Sequence, residues 1–185
     1  GFHSALDELG HKCVFSSDND PHAQETYKLN YDEVPVGDIS KVNALTIPPH
    51  NVICGGFPCQ PFSISGKRMG FEDARGTLLY EVLRIAEFHQ PEILFLENVK
   101  NYLTHDQGRT LSSTLRLLDE VGYDTHFSLI NASLYGVPQK RERIYFICFR
   151  KDFGIKKFNF PEPTNEDVAI EDFLLPSKDD RIEKL

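Results

Sequence analysis

No apolar run in this 185-residue chain approaches the roughly 18 residues that a membrane-spanning helix needs, and no basic segment leads into an apolar stretch at its start. Both absences point to an intracellular protein. Cysteine is scarce: Cys13, Cys54, Cys59 and Cys148 form no CxxC pair, and no histidines stand at zinc-like spacing. A disulfide scaffold and a zinc module are thereby disfavoured, and no metal is expected. Cys13, Cys54 and Cys148 lie in apolar, strand-like runs and read as reduced thiols in the interior. A cationic excess is also lacking, since the formal charge is −8, which speaks against a simple nucleic-acid-binding module. The acid is concentrated at the two ends, however. Residues 1–38 carry two basic and eight acidic side chains and residues 162–185 three and eight, leaving a net +3 between them. Lys140, Arg141, Arg143, Arg150 and Lys151 crowd around Glu142 there, compatible with a phosphate-bearing substrate.

The length and an apolar content of 40% suffice for a single packed domain. Short apolar runs alternate with amphipathic ones, the mark of a βαβ chain. The spacing predicts a helix end over 2–9, a strand over 12–17 and a helix over 21–29 capped by Asp20 with Pro21 at its first position. A buried strand over 51–54 ends at Gly55-Gly56. Helices follow over 78–88 and 110–121, with a strand over 93–96 between them running into Glu97-Asn98. The last strands, 127–130 and 144–149, are too close for an intervening helix and suit an antiparallel hairpin ending an otherwise parallel sheet. Ligands bind beyond the carboxyl ends of such strands. That places the site at residues 17–20, 55–65 and 97–98. From Phe160 the chain turns Pro-rich and acidic, which reads as a domain edge: 1–160 as the core and 161–185 as the start of a linker.

One loop is unusual. In Gly55-Gly56-Phe57-Pro58-Cys59-Gln60-Pro61-Phe62-Ser63 the glycines allow close approach of a ligand and the prolines hold a defined path around an accessible thiol. On local chemistry alone it is either a nucleophile loop or a structural loop with an incidental cysteine. Glu97 by itself reads as a surface carboxylate, and the arginines at 141 and 143 as a solvated strand edge. Asp18 admits a role as a helix cap, although Asp20 is better placed for it. The stretch 61–77, with Gly66, Gly70, Gly76, Lys67, Arg68 and Arg75, reads either as a mobile surface loop or as a lid.

Taken together, the nonapeptide, Glu97-Asn98-Val99 and Gln139-Lys140-Arg141-Glu142-Arg143 resemble, in order and spacing, the motifs of the C5-type cytosine methyltransferases. The layout over 1–160 is similar to small bacterial restriction–modification enzymes. The resemblance implies a Rossmann-like α/β methyltransferase core with a mostly parallel sheet and an antiparallel terminal hairpin strand. It implies S-adenosylmethionine as methyl donor and double-stranded DNA as partner of a monomeric, cytoplasmic enzyme. Cys59 would then be the thiolate that adds to the base, Glu97 the acid at its exocyclic amine and N3, Arg143 the cation at O2 and Arg141 its support. Asp18, Asn19, Asp38, Ile39, Gly56, Pro58 and Leu78 would meet the cofactor. Asn19 departs from the aromatic residue of close relatives. Gln60, Ser63, Ser65, Lys67, Arg75 and Gln139 would meet the nucleic acid, with the base flipped out. A tRNA cytosine methyltransferase using the same motifs, and an inactive fragment that binds nucleic acid or complements another half, are the alternatives. The chain opens on Gly1-Phe2 rather than Met, and the resemblance implies that most of a first glycine-rich motif would precede it and a target-recognition domain would follow it. It is therefore expected to bind S-adenosylmethionine weakly, and to turn over DNA poorly, by itself.

Overall fold

The computed structural model describes residues 1–58, 77–164 and 168–174. Four helices and four strands organise it: α1 (Phe2–Glu8), α2 (Pro21–Tyr31), β1 (Val52–Gly56), α3 (Leu78–His89), β2 (Ile93–Val99), α4 (Arg109–Glu120), β3 (Tyr123–Asn131) and β4 (Glu142–Arg150). The sheet order is β1-β2-β4-β3. β1 and β2 are parallel, and β4 runs antiparallel to both of its neighbours. Three strands therefore point one way, and the hairpin strand β4 alone is reversed, as expected from the short 132–141 connection.

Local chemistry sets the helix boundaries. The Asp20 carboxylate accepts from the backbone N–H groups of His22 at 2.8 Å and Ala23 at 3.4 Å, and Pro21 fills the first helical position of α2. Thr77 caps α3 through Tyr80 N at 3.2 Å. That helix stops at Gln90, whose left-handed backbone (φ 48°) precedes Pro91. Leu79, Leu83 and Ala86 of α3 are buried against Leu94 and Leu96 of β2 and Ile144, Phe146 and Cys148 of β4. α4 buries Thr110, Ser113 and Thr114 beside Leu117 and Leu118. Its hydroxyls are tolerated because they are bonded: Thr114 Oγ1 lies 2.6 Å from the Tyr102 hydroxyl and donates to Thr110 O at 3.0 Å.

The strands 123–131 and 142–150 are longer than their apolar runs suggest. Tyr123 is buried and donates its hydroxyl to Pro91 O at 2.8 Å, anchoring a polar start (Asp124, Thr125, His126) that still pairs in register with β4. The expected strand over 12–17 forms no ladder among the described residues. Ser17 makes an isolated parallel bridge to Val36, because extended backbone counts as strand only where a neighbour meets it. Of the three cysteines read as interior thiols, Cys148 is fully buried, Cys54 and Cys13 are half-buried, and all three are free. Residues 161–164 and 168–174 contain one 3-10 turn, Ile170–Phe173, and no other helix or strand.

Candidate active site

β2 presents its residues alternately to the two faces of the sheet. Leu94, Leu96 and Asn98 are buried on the face that α3 and α4 cover; Ile93, Phe95 and Glu97 are half-exposed on the other. At the carboxyl end of β2, Glu97 pairs with Gly56 of β1 on one side and with Tyr145 of β4 on the other. Arg143 is paired with Val99, two positions along β2, so its side chain lies diagonally across from Glu97 on the same face. The Glu97 Oε1 to Arg143 Nε distance is 2.9 Å, and Arg141 Nη2 is 3.7 Å from the same oxygen. The other oxygen, Oε2, faces Gly56, where a Cβ would stand 3.4 Å from it. Glycine thus leaves the carboxylate open on the side toward β1. One oxygen is held by arginine and the other faces the bare Cα of Gly56, an arrangement suited to recognising a planar group with both donors and acceptors.

Asn98 does something the sequence did not single out. Its side chain is 2% exposed. Nδ2 donates to Phe57 O at 2.7 Å, and Oδ1 accepts from Val99 N at 2.8 Å. β1 has left the ladder after Gly56, so the Asn98 amide satisfies the first carbonyl beyond it. Phe57 is buried edge-on against Tyr102, with centroids 5.7 Å apart. The chain at Phe57, two residues before Cys59, is therefore fixed by one buried amide and one buried ring. A polar residue alternating in phase with Leu94 and Leu96 was the available signal. Cys59, Gln60, Ser63, Ser65, Lys67 and Arg75 lie outside the described residues.

Asp18 and Asp38 come together through backbone. Val36 N donates to Ser16 O at 2.8 Å, Asp18 N to Val36 O at 3.0 Å, and Ser17 Oγ to Gly37 O at 2.6 Å. The two extended segments run parallel, with Asp18 and Asp38 just beyond the bridge. Asp18 and Asn19 are exposed. Asp18 is not wholly free of structural work: its Oδ1 accepts from Asp20 N at 2.9 Å. Asp38 Oδ1 accepts from Ser40 N at 3.0 Å and Ser40 Oγ at 2.7 Å, which holds its carboxyl below the usual carboxylate range. Ile39 is half-buried in the turn that Asp38 caps. Leu78, the first residue of α3, is 39% exposed, while Pro58 and Gln139 are exposed. Exposed carboxylate oxygens, a bare glycine backbone and an exposed leucine fit the hydroxyls and apolar parts of a nucleoside-type cofactor. Spacing also missed one grouping among the described residues. His3, Cys13 and Glu33 hold ligand-type atoms within 4.8 Å of one another, with the His3 ring already bonded to the Tyr27 hydroxyl.

A mixed sheet with helices packed on it, carrying an acid and two arginines at the carboxyl end of its parallel strands, is a Rossmann-like α/β architecture. In fold, the chain superposes on DNMT2 of Spodoptera frugiperda with a TM-score of 0.74 at 22% identity, covering 97% of this chain and 57% of that one. It superposes on Dnmt2 of S. pombe with a TM-score of 0.68 at 21% identity, covering 96% and 58%. At these identities the likeness concerns the fold alone. In sequence, residues 1–184 match the C-5 cytosine-specific DNA methylase family. The chain is 49% identical over 179 residues to the type II methyltransferase M.HhaI of Haemophilus parahaemolyticus, covering 97% of this chain and 55% of that protein. It is 47% identical over 176 residues to M.HpaII of Haemophilus parainfluenzae, covering 93% and 49%. This chain belongs to the C-5 cytosine-specific DNA methylase family. It spans about half the length of these curated relatives.

Proposed function

We propose that the protein containing this chain transfers a methyl group from S-adenosylmethionine to C5 of cytosine in double-stranded DNA, as the methyltransferase of a bacterial restriction–modification system acting in the cytoplasm. The observation that carries this reading is the Glu97–Arg143 diagonal pair at the end of β2, beside the bare Cα of Gly56 and the loop entry held by Asn98. Membership of the family supports it.

The chemistry assigns a task to each residue. C5 of cytosine is a weak nucleophile. Addition of the Cys59 thiolate to C6 breaks the C5–C6 double bond and raises electron density at C5. Glu97, through Oε2, bonds the exocyclic amine and N3 and shares a proton there as charge enters the ring. Arg143 steadies Glu97 and stabilises negative charge at O2, with Arg141 3.7 Å from the same carboxylate in support. Asp18 and Asp38 accept hydrogen bonds from the hydroxyls and amine of the adenosyl group, Asn19 and Ile39 flank it, and Gly56, Pro58 and Leu78 meet the methionine end. When bound, S-adenosylmethionine supplies an electrophilic methyl group on a sulfonium. Loss of the C5 proton, with departure of the Cys59 thiolate, restores the aromatic ring. Gln60, Ser63, Ser65, Lys67, Arg75 and Gln139 contact the nucleic acid.

The test incubates the full-length protein with methyl-labelled S-adenosylmethionine and either duplex DNA or tRNA, then digests the product to nucleosides. Label in 5-methyldeoxycytidine is the expected result. Label only in RNA, or none in cytosine, contradicts the proposal.

A further inference from the structure

α3 reaches out of its own fold layer to hold the Asp38 segment. Arg84 donates from Nη2 to Ile39 O at 3.2 Å and to Val42 O at 3.0 Å. Its Nε donates to Glu81 Oε2, one helical turn earlier, at 2.7 Å. Glu81 is 8% exposed, and a buried carboxylate requires such a partner. At the last residue of the helix, His89 Nε2 lies 2.8 Å from Ala44 O. The held segment has little stiffness of its own: Ile39–Lys41 and Ala44–Thr46 are single 3-10 turns. Buried Ala44 and Ile47 are its apolar anchors, and the Arg84 bonds fix the part nearest Asp38.

The same helix begins at Leu78. One rigid element thus connects the two ends of the cofactor region: Leu78 at its start and, through Arg84, the Asp38–Ile39 turn. We propose that Arg84, oriented by Glu81, is a positioning residue that sets the Asp38–Ile39 turn at the distance required to bind the adenosyl group. This rests on the reading of Asp38, Ile39 and Leu78 as cofactor-binding residues. Arginine is required because its planar fork makes bonds to the carboxylate and to two carbonyls at once. Lysine keeps the charge opposite Glu81 but cannot span all three.

The full-length protein is titrated calorimetrically with S-adenosylmethionine and, separately, with adenosine, as wild type, Arg84→Lys, Arg84→Ala and Asp38→Ala. Both Arg84 variants are expected to weaken the two ligands by the same factor, roughly tenfold, while affinity for DNA is kept. Faster amide exchange confined to residues 39–46 is expected with it. Loss in Arg84→Lys at an unchanged melting temperature separates positioning from general destabilisation, and decides the matter should the alanine variant fail to fold. Wild-type affinity in Arg84→Lys, with affinity lost in Asp38→Ala, overturns the role of Arg84 and leaves the cofactor site standing. Unchanged affinity in Asp38→Ala overturns the cofactor reading and this proposal with it.

Discussion

Glu97, Asn98 and Arg143 stand on adjacent hydrogen-bonded strands, with backbone register fixing where each side chain points. Asp18, Asn19 and Asp38 stand on exposed turns, joined by one bridge and a few side-chain bonds. The first group is built by the sheet and the second by its connections. Groups that act on a reacting ring gain from geometry set by a packed ladder. On the proposed reading, groups that capture hydroxyls through accessible oxygens work on turns, provided the turns are held; α3 holds the segment that follows Asp38 through Arg84 and His89. Substitutions in the two regions should therefore fail in different ways.

The largest effect is expected at Glu97. Glu97→Gln removes the charge opposite Arg143 and the proton-sharing oxygen, and methyl transfer by the full-length protein should fall roughly a hundredfold to a thousandfold. Single-turnover rates check this, and a loss below tenfold contradicts the role. Next is Asn98→Ala, which strands the buried carbonyl of Phe57. Stability should fall by about 1–3 kcal/mol, read from urea midpoints, and methyl transfer should slow as well, since Phe57 precedes Cys59 by two residues. Unchanged stability would mean that the amide does not hold the loop entry. Asp18→Ala is expected to do the reverse: S-adenosylmethionine affinity falls roughly tenfold, while stability stays within about 0.5 kcal/mol because the side chain is exposed.

The effect that is smallest near neutral pH concerns the thiols of half-buried Cys54 and buried Cys148. Burial pushes Cys54 up to about 11 and Cys148 up to about 12, from an ordinary 9.0. The folded state keeps these protons to higher pH than the unfolded chain. Stability is therefore full below about pH 9 and declines as pH rises toward 11 and 12, by at most about 1.4 kcal/mol per pH unit for each thiol. Urea midpoints between pH 8.5 and 10.5 should show the decline, and it should be shallower in Cys54→Ala. An identical slope in that variant contradicts the assignment.

Periodicity made the four helices and four strands legible, because Leu79, Leu83 and Ala86, or Leu94 and Leu96, recur at helical or strand spacing. The reversed strand β4 followed from a connection too short for a crossover. Glu97 and Arg143 were legible as motif members, but their pairing was not: it depends on a diagonal register between two residues 46 positions apart in sequence. The structural tasks of Asn98, itself a motif member, and of Arg84 were missed for a related reason. Each works through a backbone carbonyl about 40 residues or more away, and a carbonyl has no identity in a sequence. The strand expected over 12–17 misled because a short apolar run favours extended backbone without showing that a partner strand meets it.

The most direct measurement traps the nucleophile. The full-length protein is incubated with S-adenosylmethionine and duplex DNA carrying 5-fluorocytosine, whose fluorine prevents the final elimination, and covalent complexes are resolved under denaturing conditions. The account predicts an adduct that maps to Cys59 and is lost in Cys59→Ser. No adduct with the wild-type protein, or one that persists in Cys59→Ser, would contradict it.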